Sequence, residues 1–125
     1  MIVLDTTVLI DVMRGHPRAR EYVRSLADVP ACSEVTRVEL LLGMRARERE
    51  ATEALMRSLR WVPVDEQIAR RAGLLGRAWT RSHDVGPVDL IIAATAQELG
   101  VALATSNVRH FPMFPGLRPP YEVAL

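Results

Sequence analysis

The sequence predicts an α/β fold built on a mainly parallel sheet. Short apolar runs, three or four residues long, alternate with longer stretches whose apolar residues recur at helical spacing. That alternation is the pattern of strands joined by crossover helices. The chain has 125 residues and is 49% apolar, enough for a core that needs no disulfide. No repeat, low-complexity tract or long linker divides it, so residues 1–125 are expected to form a single domain.

Ile2–Leu4 reads as a buried strand that ends at Asp5. A helix over Thr6–Met13 follows, with Val8, Leu9 and Val12 on one face, before Gly15 and Pro17 break the chain. A second helix is expected over Arg18–Leu26, where Ala19, Tyr22, Val23 and Leu26 share a face. Pro30–Cys32 reads as a short strand, and Ser33 can cap a helix over Glu34–Arg45 by accepting from a first-turn N–H. Arg47–Leu59 is a charged helical stretch with Ala51, Leu55 and Leu59 on one stripe. Trp61–Val64 reads as a strand, and Asp65 caps a long helix running to Arg81. After a loop over Ser82–Pro87, Val88–Leu99 is apolar nearly all round, the mark of a buried helix. Pro87 suits its first turn and Gly100 its end. Val101–Ala104 is the next strand, Asn107–Phe111 a short helical turn, and the proline-broken tail is expected to hold an edge strand near Tyr121–Val123. Sites in such sheets form beyond the carboxyl ends of the strands. That rule singles out Asp5, Ser33 with the helix after it, and the Thr105–Asn107 turn.

Charge and cysteine content exclude more than they assign. Cys32 is the one cysteine, so no intrachain disulfide forms. No basic leader precedes the N-terminal apolar run, and no apolar stretch reaches the ~18–20 residues that span a bilayer; a cytoplasmic protein is expected. The net charge is +1, and all 16 basic residues are Arg. Arginine forks onto phosphate where lysine acts as a point charge, but a codon bias gives the same count, and composition alone decides nothing.

Three acids stand where acids need a reason. Asp5 follows an apolar strand directly, a position where Asp also serves as a helix N-cap. Glu39 borders a stripe of Val35, Val38 and Leu42, and an acid beside an apolar face needs a cation, a donor or a metal as partner. Asp89 opens the most apolar helix, where an acid suits the helix dipole, and its face continues with the small Ala93 and Ala96. Asp11 lies two turns into its helix and is expected to face solvent. Clustered carboxylates repel one another, and a hard divalent cation relieves that repulsion with oxygen ligands. His16, His83 and His110 are isolated, no Cys/His spacing suits zinc, and no phosphate-binding glycine loop, nucleophile elbow or dinucleotide fingerprint is present.

Four ordered segments carry a resemblance. They are Ile2-Val3-Leu4-Asp5-Thr6-Thr7-Val8-Leu9-Ile10-Asp11, Ser33-Glu34-Val35-Thr36-Arg37-Val38-Glu39-Leu40-Leu41-Leu42-Gly43, Gly86-Pro87-Val88-Asp89-Leu90-Ile91-Ile92-Ala93-Ala94-Thr95-Ala96, and Thr105-Ser106-Asn107-Val108-Arg109-His110-Phe111 followed by Pro115-Gly116-Leu117. In this order and over nearly the whole chain, they resemble the PIN-domain ribonucleases, in particular the toxins of VapBC-type toxin–antitoxin pairs. The resemblance implies a three-layer α/β/α fold with a central, mainly parallel sheet. It implies RNA cleavage with Mg²⁺ or Mn²⁺ held by an acidic cluster, onto which Asp5, Glu39 and Asp89 map as catalytic and metal-binding residues. Thr6 and Thr105 map onto hydroxyl positions beside the cluster and, with Arg109, onto substrate contacts. A cognate antitoxin and a homodimer are the implied protein partners. One departure stands out: where many members carry a fourth acid, this chain has Asn107 and, three residues on, His110. Asn107 can still offer an amide oxygen to a metal or to its water. The rival reading takes that departure as the mark of a catalytically lapsed module that binds RNA or protein without cutting.

Overall fold

The short apolar runs pair into one parallel sheet with strand order β3-β2-β1-β4. A computed structural model of the chain describes residues 1–122. In chain order the elements are β1 (Ile2–Leu4), α1 (Thr6–Met13), α2 (Pro17–Ser25), β2 (Ala31–Ser33), α3 (Glu34–Gly43), α4 (Arg49–Arg57), β3 (Arg60–Val62), α5 (Glu66–Trp79), α6 (Pro87–Leu99) and β4 (Ala102–Ala104). Single 3₁₀ turns over Ala46–Glu48 and Val108–His110 precede α4 and follow β4.

Strand order fixes where a site can open. From β1 the chain builds β2 and β3 on one side, then returns to place β4 on the other. The direction of strand addition therefore reverses between β1 and β4, and a crevice opens beyond the carboxyl ends of such a pair. Asp5 and Thr105 are the residues that follow those two strands.

The period of two along each strand sorts the core into two sides. Leu4, Cys32 and Ala104 pack with Val8, Leu9 and Met13 of α1, Leu40 of α3 and Met56 of α4. Val3, Ala31 and Leu103 pack the other way, against Ile92, Ala93 and Ala96 of α6 and against Phe111. Ile68 and Ala72 of α5 meet Leu90 and Ala94 of α6 in an outer cluster. The result is the three-layer α/β/α arrangement.

Several local expectations need correction. On α3 the expected stripe is not the core side: Val38 is 61% and Leu42 85% exposed, whereas Thr36 and Leu40 are fully buried. Apolar residues fall on more than one side of this helix, Val35, Val38 and Leu42 on one and Leu40 on another, and packing against α1 and α6 selects the side with Thr36 and Leu40. On α4 the buried residues are Thr52 and Met56; of the expected stripe, Leu59 just after the helix is buried and Leu55 packs partly buried against the core, while Ala51 is exposed. Ala93 and Ala96, expected to leave room above Asp89, instead lie buried against the sheet, where small side chains permit close approach. Tyr121 and Glu122 are not in a strand, and Val123 lies outside the described residues. Tyr121 instead donates its hydroxyl to Asp11 Oδ2 at 2.7 Å, so Asp11 is partly covered by the tail rather than free in solvent. Arg45, Arg47 and Arg49 are exposed, as a solvated face requires.

Candidate active site

Asp5 is held by the strand end on which it sits. Its backbone N–H donates to Ala104 O at 2.9 Å, which ties the end of β1 to the end of β4. Its carboxylate is 3% exposed and accepts three hydrogen bonds. Oδ1 takes the Thr6 N–H at 2.8 Å. Oδ2 takes the hydroxyls of Thr7 at 2.8 Å and Thr105 at 2.6 Å. Asp5 is thus both the N-cap of α1 and a fixed carboxylate at the switch point of the sheet. Three donors leave it little freedom to turn.

The threonines around it divide the work in an unexpected way. Thr6 and Thr105, expected to touch substrate, are buried at 5% and 0% exposure. The Thr6 hydroxyl faces that of Thr36 at 3.0 Å, and Thr105 both holds Asp5 and accepts from the Asn107 N–H at 3.0 Å. These hydroxyls position the carboxylate and the loop rather than present themselves to a ligand. Thr7 and Thr36 were not singled out from the sequence. The doubled Thr6-Thr7 after an aspartate, and a threonine three residues before Glu39, are the signals that point to them.

Asp89 enters the same crevice from the first turn of α6. Its Oδ2 accepts from the Gly86 N–H at 3.3 Å, which closes the start of that helix. The same oxygen lies 3.1 Å from His110 Nδ1. A carboxylate only accepts, so Nδ1 is the donor in that contact. Burial pushes the Asp89 carboxyl above its ordinary range; the Gly86 N–H and His110 pull it back, and the negative charge of Asp5 pushes it up again. Asp5 and Asp89 are therefore near enough to feel each other's charge.

Glu39 stands apart. It lies one turn beyond Thr36 on α3, and residues three apart share a helix face; Thr36 is the residue that meets Thr6. Among the described residues Glu39 has no hydrogen bond or ion pair, and Arg37, the arginine nearest in sequence, is bound to Glu34. Among the described residues no three acidic or histidine groups converge closely enough to form a ready-made metal site. Asp89 thus lies within reach of the Asp5 charge, and Glu39 stands partly exposed one turn beyond Thr36. Arg109 is exposed, and Asn107 is half-buried with its backbone N–H held by Thr105.

The donor set fits a hard divalent cation. All candidate ligands are oxygens, the charge of Asp5 disfavours that of Asp89, and Glu39 lacks a protein partner among the described residues. A small cation such as Mg²⁺ takes one or two carboxylates directly and fills its other positions with water, so a pair of fixed acids with a third at longer reach is a suitable set.

Comparison with known proteins decides the family. Residues 2–114 match the PIN domain. The chain belongs to the PIN-domain family. Among PIN relatives it is 45% identical over 125 residues to Ribonuclease VapC19 of Mycobacterium tuberculosis, covering 97% of this chain and 100% of that protein. It is 47% identical over 126 residues to Ribonuclease VapC10 of the same organism, covering 98% and 95% of the two chains. Among solved structures it resembles a chain of a toxin–antitoxin complex from Klebsiella pneumoniae, with a TM-score of 0.84, 26% identity and coverage of 98% and 100%. The PIN α/β/α fold expected from the sequence is the one observed.

Proposed function

We propose that this PIN domain is a divalent-metal-dependent endoribonuclease, the toxin of a VapBC-type pair, with Mg²⁺ or Mn²⁺ held by Asp5, Asp89 and Glu39. One observation carries the reading: a carboxylate at the switch point of the sheet is locked by three donors, and a second, from another element, is made less acidic by burial and by the charge of the first. Full-length similarity to proteins named ribonucleases supports the reaction, and the toxin–antitoxin complex among its structural likenesses supports an antitoxin partner. Among the described residues no helix is long and apolar enough to cross a membrane, and a toxin that cuts RNA acts in the cytoplasm.

Bound at this site, a divalent cation lowers the pKa of a water and offsets charge developing on the phosphate. The protein's own part is positioning. Thr6 N, Thr7 and Thr105 fix the direction of Asp5. Gly86 N and His110 hold Asp89 on one oxygen and leave the other without a protein partner among the described residues. Glu39, unpaired among the described residues, is free to orient a water at the edge of the crevice. Arg109 on the exposed turn supplies a cation for the RNA backbone. Intact carboxylates at all three positions favour this over the lapsed-module reading.

Purified protein should cleave RNA with Mg²⁺ or Mn²⁺ and stop with EDTA. Asp5→Asn should abolish cleavage and keep the fold, because the amide oxygen still accepts from Thr6 and the Thr105 hydroxyl can turn to accept from the amide. Undiminished cleavage by folded Asp5→Asn protein overturns the site. A homodimer is part of the same reading, and the exposed Val38, Leu41 and Leu42 of α3 suit it. Native protein should sediment as a dimer and Leu42→Asp as a monomer; equal sedimentation of the two would remove α3 from the interface.

A further inference from the structure

A second cavity opens beside Asp89. Two segments form its walls. One is the loop after α5, with His83 and Asp84 exposed on it; the other is the turn after β4, with Val108, Arg109 and Pro112. Each wall is anchored by a buried apolar side chain next to the cavity, Val85 at 8% and Phe111 at 1% exposure. Each also touches the candidate site: the Gly86 N–H donates to Asp89 Oδ2, and His110 Nδ1 meets the same oxygen. His110 lines the cavity as well, so one imidazole separates it from the acidic pair. The cavity is about 470 Å³, within the ~300–1,000 Å³ typical of ligand clefts.

Its chemistry is that of a nucleotide seat. Val108 and Pro112 give apolar surface for the face of a base. The His83 ring packs edge-on against Trp79 with centroids 5.4 Å apart, which steadies a second flat surface. Arg109 offers a fork for a phosphate. Asp84 brings a carboxylate, a group that accepts hydrogen bonds and donates none. A carboxylate accepts two parallel N–H bonds, and of the four RNA bases only guanine shows two adjacent N–H donors on its pairing edge. Unpaired RNA is read through such edges and by stacking of base faces.

We propose that this cleft seats the nucleotide next to the scissile phosphate, with Arg109 on its phosphate and Asp84 on its base edge, favouring guanine. The proposal rests on the ribonuclease reading for the identity of the polymer but is testable without cleavage. GMP and UMP would be titrated into metal-free protein while the Trp79 indole N–H is followed by NMR. GMP should move the Trp79 signal through contact with its His83 neighbour, and UMP should bind several-fold more weakly. Asp84→Asn, an exposed substitution that leaves the fold alone, should weaken GMP about tenfold, as should Arg109→Ala, each removing a charge-assisted contact. In the cutting assay, native protein should enrich guanine at one fixed position beside the cut, and Asp84→Asn should lose that enrichment. No GMP-dependent shift at Trp79, or one that Asp84→Asn leaves intact, overturns the proposal even for a protein that cuts RNA. GMP binding at Trp79 in a protein that cuts no RNA upholds the cleft and retires the ribonuclease reading instead.

Discussion

Nδ1 of a histidine and Oδ1 of an aspartate lie the same number of bonds from the backbone, which makes His110 the informative residue for the absent fourth acid. Its Nδ1 already sits 3.1 Å from Asp89 Oδ2. An aspartate there would place a third carboxylate against the pair, whereas no contact between the Asn107 side chain and an acid is seen among the described residues. One added carboxylate near a cation strengthens binding by about 1–3 kcal/mol at an intermediate effective dielectric, roughly ten- to hundred-fold in affinity. His110→Asp should therefore bind Mn²⁺ more tightly than native protein in calorimetric titration, and Asn107→Asp should gain less. Equal affinity in all three would place this turn away from the metal. Residues of this kind were only partly legible in the sequence. Asp5 and Asp89 showed themselves because each sits at the end or the start of an apolar element. The pairing of His110 with Asp89, of Thr105 with Asp5 and of Thr36 with Thr6 joins residues 21, 100 and 30 positions apart, and spacing along the chain carries no sign of it.

At the scale of elements, sequence pattern settled which segments are helices and strands better than which face each turns inward. Helix α1 has the bounds that its caps and spacing indicate, and Gly100 ends α6 in the left-handed region at φ +66°, a conformation that costs glycine nothing. The faces of α3 and α4 were misjudged because both buried sides carry threonine: Thr36 and Thr52 are fully buried, and a hydrophobic count passes over them. The α5–α6 contact offers a direct test of close packing. A Cβ at Gly76 would lie 3.0 Å from Leu90 Cδ1, next to Asp89 in sequence, while one at Gly73 would meet nothing within 4 Å. Replacing a helical glycine by alanine stabilises by ~0.5–1 kcal/mol where space allows. Gly73→Ala should show that gain in urea unfolding, and Gly76→Ala should lose most or all of it to the Leu90 contact. A full gain at Gly76 would mean that Leu90 moves freely and that α6 is not held by this packing.

Across the whole molecule, the fold places Asp89 where its charge is disfavoured by burial and by the charge of Asp5, and that tension should be measurable as stability. The Asp89 carboxyl is pushed above its ordinary value, first by burial and also by Asp5. A carboxyl raised in the folded state contributes stability that is complete below the unfolded value, near 3.8, and is lost as pH rises through the folded value. Raising the pH of metal-free protein through the folded value of Asp89 therefore removes that contribution. A divalent cation bound only by the folded state restores stability by mass action. Three melting curves by calorimetry separate these contributions. In EDTA at pH 7, Asp89→Asn should melt above native protein, since the amide keeps an oxygen for the Gly86 N–H and removes the charge. Addition of Mn²⁺ at pH 7 should raise the melting temperature of native protein and raise that of Asp89→Asn much less. At a pH below the unfolded value the Asp89 carboxyl is protonated, and Mn²⁺ should then do little to either protein. If Asp89→Asn melts below native protein in EDTA, the ionised acid is not a burden on the fold, and the idea that a cation relieves it fails.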